Sequence, residues 1–423
     1  MNRVIQCMLS SRACFVGCGV ALVVAVIGVV LLVRWWTAPI DIPRVPPPTY
    51  PTPNAFVVYR KLAEQVAEQH EKNTALRMTF DRVRRSVDSG KLSVDSEIRR
   101  YLQTWQPTRQ EYRKHLNEPC MTILSYDVRE TFPYLRGFRL WAYVEAADAL
   151  LAIRGGDYRR ALDDYETVLR VGEGLSNGGL MVHHLVARVC QNKVSQVMVG
   201  SLQQMPLEYC DELVAITRRW ERVRIPPEQA WEHERIAALN LLHDLYEGKV
   251  QLRNVPGRLL NLRAAAHEFE RLYRLIKSAA DKPIVHQASI PDAKHPVLVF
   301  AFPAISANRF YQAKAGQLAR NRLLAIAAAV RAYRLRHGKY PSTLAEAGVA
   351  DLNKDPFTGG EFVYRTSPKG FLVYSVGEDG RDDGGKRAAD DRSPGDIGLI
   401  PYTPSGPAPA QQPLPPGPPV WMK

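Results

Sequence analysis

From Ala55 to Asp281 apolar residues recur at three- and four-residue steps, and proline or glycine punctuates the pattern. Phe56, Tyr59, Leu62, Ala63 and Val66 set the spacing, which is that of a helix with one buried stripe. The same reading predicts helices over Leu180–Leu202, Leu207–Val223, Gln229–Tyr246 and Leu259–Ala280, with Pro206, Pro226-Pro227 and Pro256-Gly257 between them. Stripes of this kind are buried by packing helix on helix, and short connections make neighbours antiparallel. The expectation is a mainly α chain whose body is a stack of αα-hairpins.

The clearest hairpin is Leu140 to Gly172. Gly155-Gly156-Asp157 separates a helix carrying Trp141, Val144, Ala147 and Leu151 from one carrying Tyr158, Ala161, Leu162, Tyr165 and Leu169. The stretch GDYRRALDDYETVL resembles the turn and second helix of a tetratricopeptide repeat. The motif does not recur about 34 residues on, so the resemblance covers one hairpin and the body is only partly of that type. Stacks of this kind offer a concave surface to a peptide or protein.

Ahead of the body, Ala13 to Val33 is an uncharged run of 21 residues followed by Arg34, Trp35 and Trp36. About 20 such residues are what a helix needs to cross a bilayer, and charged and indole side chains favour its interface. This reads as a transmembrane helix serving as an uncleaved signal anchor, because no small-x-small cleavage pattern follows it. The expected topology is single-pass, with residues 1–12 in the cytoplasm and the body in the periplasm of a bacterial inner membrane. Seven prolines between Thr37 and Asn54 then predict a polyproline stalk of roughly 50 Å.

The formal charge is +13, with arginine spread along many helices. No nucleic-acid-binding motif accompanies it, so a solvated basic surface is expected and nucleic acid is not an expected partner. Of six cysteines only Cys120, Cys190 and Cys210 fall in the body, which permits at most one internal disulfide. His183-His184, His233, His243, His267 and His286 match no zinc motif, and the bland reading is packing or surface histidines. No nucleophile elbow, phosphate loop or paired-carboxylate cleft stands out, so no catalysis is expected.

The last segment, 303–400, is built differently. A long helical pattern over Ala304–His337 carries Leu323, Ile326, Ala327, Val330 and Tyr333 on one face, with Gly338 as its left-handed cap. Thr343 and Glu346 read as a capping box for one short turn closed by Gly348. Two strands are expected, Glu361–Arg365 and Phe371–Val376, joined across Ser367-Pro368-Lys369-Gly370. Together these make a small α+β module of long helix plus β-hairpin. Residues 401–423 are proline-rich and are expected to form a disordered tail.

Asp379, Asp383, Gly384 and Asp390 fall at the first, fifth, sixth and twelfth positions of an EF-hand-like loop, though Arg381 occupies the third. Asp and Gly are also what any exposed turn contains. The succession AYRLRHGKYP, DPFTG, YSVGEDG, GG and DI resembles the globular end of the major pseudopilins of type II secretion, over Asn308 to Gly398. That resemblance implies a calcium-binding last loop whose matching ligands here are Asp379, Asp396 and the carbonyl of Val376, with Asp390 or Asp391 contributing. The chain departs from the family at its apolar run, which carries no glutamate and lies far from the module. Processing and polymerisation as a pilin are therefore not expected.

These readings combine into one expectation: a membrane-anchored scaffold of the bacterial envelope that binds an unidentified protein. The alternative is an accessory of a type II secretion or pilus-like assembly.

Overall fold

The computed structural model describes residues 22–90, 96–127, 129–251, 257–280, 282–301, 307–367, 370–385 and 395–399. A helix over 22–36 (α1) comes first. The body follows as α2 (Ala55–Lys72), α3 (Thr74–Ser89), α4 (Ser96–Thr104), α5 (Gln106–Lys114), α6 (Tyr134–Arg154) and α7 (Tyr158–Ser176). It continues through α8 (Met181–Ser201), α9 (Leu207–Val223), α10 (Glu228–Tyr246), α11 (Leu262–Ala279) and the short α12 (Pro296–Ala301). The 31-residue α13 (Ala307–His337) leads to an antiparallel sheet of β1 (Val363–Ser367), β2 (Gly370–Ser375) and β3 (Ile397–Gly398), in that order.

Two expectations for the N-terminal part are corrected. Among the described residues no helix is long and apolar enough to cross a membrane. The described part of the apolar run is α1, and residues 13–21 of the predicted span lie outside the described residues, as does the tail 1–12. The transmembrane helix, the signal anchor and the single-pass topology with a periplasmic body therefore drop out of the account. The second correction concerns the stalk. Residues 37–54 are extended but are not a free spacer, since Ile40, Ile42 and Val45 pack against the core of α10, α11 and α12.

Helix starts are set by side chains that satisfy free amides. Asn54 accepts from the Phe56 N–H, Asn73 from the Leu76 N–H, and Asp157 from the Arg160 N–H after the Gly155-Gly156 turn. Asn54 also pairs with the backbone of Met121 in both directions, at 2.8 and 3.0 Å, tying the start of α2 to the loop before α6. Gly338, at φ 71°, ends α13 in the left-handed conformation. Half of the Thr343–Glu346 box forms: Glu346 N–H donates to Thr343 Oγ1 at 3.3 Å, while the Glu346 carboxylate accepts from the Ser342 N–H at 2.9 Å, and the pair closes a turn and no helix.

One hydrophobic core runs from Ala55 and Phe56 on α2 through α6–α9 to Leu323, Leu324 and Val330 on α13, and on to Phe357, Phe362 and Val373 of the last module. The long helix is thus shared: it packs against α8 and α9 as well as β2 and β3.

An ionic knot lies inside this core. Arg109 of α5, 3% exposed, reaches Glu145 (3.1 Å) and Asp148 (2.7 Å) on α6 and Asp164 (2.6 Å) on α7. Arg113 bonds Glu145 and Asp164 as well, and Arg160 forks onto Asp148. Burial pushes the Glu145 carboxyl up, but the Arg109 and Arg113 charges override it and hold it below the usual range. At Asp164 burial and the Glu145 charge win, so its carboxyl is raised and is the one that takes a proton first. The three body cysteines are free thiols.

Close approach of α2 and α6 rests on Gly137, where a Cβ would lie 1.8 Å from the Ala63 carbonyl oxygen. Gly137→Ala gains up to about 1 kcal/mol of helix propensity and must push the helices apart, so a net loss of about 1–3 kcal/mol is expected. Urea denaturation measures this, and an unchanged or higher midpoint contradicts it.

Candidate functional site

The module's strands place alternate side chains on α13, and where β2, the last turns of α13 and the end of α8 diverge, they leave a cleft of about 800 Å³. Its floor is apolar, with Val199 and Leu202 from α8, Ala327 and Leu335 from α13, and Phe371 and Leu372 from β2. Leu335 and Leu372 remain 48% and 40% exposed and lie together in this one cleft. Arg331 and Arg334 also line it. Arg331 is held by the Met205 carbonyl at 2.8 Å, and Arg334 lies over the Tyr340 ring, 4.4 Å from its centroid. Tyr340 in turn meets Phe371 at 5.6 Å. The arrangement suits an extended chain with apolar and acidic groups.

One wall of the cleft is Gly385, at φ 81°, where a Cβ would sit 3.0 Å from the Leu372 side chain. Its N–H donates to Asp396 Oδ2 at 2.6 Å, so the cleft adjoins the acidic loop. Asp396 is 2% exposed and its Oδ1 has no hydrogen-bond partner. Burial raises its carboxyl above the ordinary range; amide bonds from Gly385 and Asp383 oppose this, and the Asp383 and Asp382 charges reinforce it.

The predicted ligands fare differently. Val376 is half-buried at the end of β2. Asp379 is exposed and accepts from the Arg381 N–H at 3.1 Å, a local turn bond. Asp390 and Asp391 lie outside the described residues. Asp382, not among the expected ligands, accepts from Tyr374 Oη, the Gly384 N–H and Arg365. Among the described residues no three His, Cys, Asp or Glu side chains converge as a metal site. Among the described residues of the loop, Asp396 carries a buried carboxylate oxygen with capacity left for a cation.

A second polar system had no signal in the sequence. Lys314 of α13, 6% exposed, donates to Gln317 Oε1 at 3.2 Å; the Gln317 amide donates to Gln191 of α8, and Gln191 Nε2 donates to Glu173 of α7 at 3.0 Å. Glu173 also accepts from Trp220 Nε1 and the Ile225 N–H, both at 2.7 Å. A cation and an anion are thus joined through two amides across three helices. Burial lowers the Lys314 ammonium to about 8, the Glu173 charge opposing and the Arg224 and Arg188 charges adding to the fall. Nearby His183 is satisfied: Leu180 N–H reaches Nδ1 at 3.2 Å, which leaves Nε2–H to face Tyr134 Oη at 2.8 Å. His184 is fully buried, and burial, with the Lys314 charge beside it, keeps it neutral.

Comparisons with protein-family models, with curated proteins and with solved structures find no match.

Because the folded pKa of Lys314 lies below the ordinary 10.5, its contribution to stability is complete above about 10.5 and is lost as pH falls through about 8. Lys314→Met removes that pH dependence while leaving the Glu173 carboxylate without its counter-charge. The parent is expected to gain stability relative to the variant between pH 7 and pH 10, by at most about 3 kcal/mol. Thermal melts at the two pH values check it, and a difference between the two proteins that stays constant with pH refutes the assignment.

Proposed function

We propose that this chain is an interaction scaffold without catalytic activity, and that the cleft between α8, α13 and β2 receives an extended acidic–apolar segment of a partner protein. The observation that carries this reading is the pair of exposed leucines, Leu335 and Leu372, beside two arginines anchored in place. An apolar floor supplies area, while cations at the edge favour carboxylates and speed their encounter. The net charge of +13 works in the same direction.

The test is fluorescence anisotropy of acidic–apolar twelve-residue peptides against the full chain and the Leu335→Asp/Leu372→Asp variant. Micromolar binding by the parent, weakened at least tenfold in the variant and by added salt, is the expected result. Equal binding by both proteins, or none by the parent, would sink the proposal.

A second reading, an accessory of a type II secretion or pilus-like assembly, draws support from α13 lying along β2 and β3 as the pseudopilin resemblance implies. In that reading the partner segment belongs to a pseudopilin, and a purified pseudopilin head that fails to compete with the peptides argues against it.

Asp396 supports a calcium ion in the same module. A buried carboxylate oxygen without a donor, beside Asp382 and Asp383, is what a hard dication neutralises. Asp396 would bind it, with the Val376 carbonyl, Asp379 and Asp390 or Asp391 as the further ligands that the resemblance implies. Calcium is expected to give a calorimetric heat and raise the melting temperature of the parent, with both effects lost in Asp396→Asn and reduced in Asp379→Asn. Absence of heat and of a melting shift at millimolar calcium removes the ion from the account.

A further inference from the structure

The proline-bearing segment that the sequence offers as a stalk lies instead on α10 and α11, held as receptors hold extended peptides. Three kinds of contact alternate along it. Ile40, Ile42 and Val45 pack against the cluster built from Leu239, Leu242, Leu262 and Phe269. The Ile42 carbonyl meets His243 Nε2 at 2.8 Å. Asp41 reaches Arg263 (2.7 Å) and His267 (2.8 Å) on α11, and Arg44 reaches Asp244 (2.7 Å) and Glu247 (3.0 Å) at the end of α10.

No strand ladder and no helix joins this segment to the body, so side chains and one carbonyl carry the recognition. The ion pairs are solvent-exposed, with side chains 26–55% accessible, and such pairs contribute little to holding the segment down. The three apolar side chains are only partly buried. The segment therefore stays down chiefly because it is tethered, which raises its local concentration toward the millimolar range.

We propose that the α10–α11 face is a peptide receptor, occupied in this chain by residues 40–45, and that it accepts in exchange a partner segment of the same chemistry. That chemistry is an extended, proline-interrupted stretch with apolar residues at its first, third and sixth positions, an aspartate between the first two, and an arginine three positions after it. Proline matters because it keeps the free peptide extended and lowers the entropy lost on docking. The receptor reads the two charges by opposite patches, Arg263 and His267 for the acid, Asp244 and Glu247 for the base, which also fixes the direction of the bound chain.

The experiment uses the full chain and a labelled synthetic peptide of residues 38–48. In the Asp41→Lys/Arg44→Glu variant the tethered segment is repelled and the receptor is left intact. Peptide binding to this variant is expected near 100 µM, at least tenfold tighter than to the parent, where the tether competes. Adding Arg263→Glu to the variant is expected to abolish binding, and the peptide carrying Asp41→Lys alone, which keeps Arg44 for Asp244 and Glu247, should then bind more tightly than the original one. Circular dichroism of each variant confirms that the helical body is intact. Binding to parent and variant alike, binding to neither, or a dimeric mass for the parent, which would make a second copy the occupant, overturns the proposal. Cleft variants such as Leu335→Asp leave this measurement untouched, so its outcome is separate from the reading of the cleft.

Discussion

The chain of amides that links Lys314 to Glu173 is the constraint around which α13 is placed. A buried ammonium with a single hydrogen bond and a carboxylate with three neutral donors would each be costly alone. Coupled through Gln317 and Gln191 they form one polarised path, and every residue on it must keep its rotamer for the path to stay closed. That requirement fixes the rotation and height of α13 against α7 and α8. Leu323, Leu324 and Val330 then meet the body core on one side, and the sheet finds the other side of the same helix. Hydrophobic burial supplies most of the stabilisation, while the amide path selects among packings that would bury similar area.

The knot around Arg109 works by a different balance. Three carboxylates share Arg109, Arg113 and Arg160, so the charges nearly cancel within one small volume. Its residues come from α5, α6 and α7, and α5 has only nine residues. So short a helix gains little from propensity. Arg109 and Arg113, one turn apart on its inner side, hold it to the α6–α7 hairpin together with Tyr112, which is fully buried and stacked on Trp141 of α6. Losing one partner would leave a buried charge uncompensated, which is far more costly than the net worth of the intact group.

How much of this could be read in the sequence depended on how local the cause was. The starts at Asn54 and Asp157, the stop at Gly338 and the span Leu207–Val223 rest on neighbours within one turn, and the periodicity reports them directly. The β-hairpin was legible for the same reason, its first strand lying two residues later and its second one residue earlier than expected. The amide path and the Arg109 knot join residues tens to more than a hundred positions apart, and no spacing rule reaches that far. The proline run misled because composition reports stiffness alone. Whether an extended segment stands away from the body or lies upon it depends on what the body offers, here Asp244, Glu247 and Arg263. The apolar run was the other misreading: among the described residues no helix is long and apolar enough to cross a membrane.

The acidic loop was expected from the sequence and the cleft was not, and one glycine makes them a single structure. Gly385 turns at φ 81° so that its N–H faces Asp396 while its Cα packs under Leu372. Any side chain there would be strained in φ and would crowd the leucine, so the wall of the cleft can be built only from bare backbone. Its position then follows the Asp396 carboxylate. An ionised Asp396 grips the Gly385 amide more strongly than a neutral acid does, since a charged acceptor roughly doubles the strength of such a bond. Burial and the charges of Asp383 and Asp382 both work against that ionised state. Whatever relieves them, whether a cation or a basic group of a bound segment, tightens the wall against Leu372 and shapes the floor on which a partner would rest.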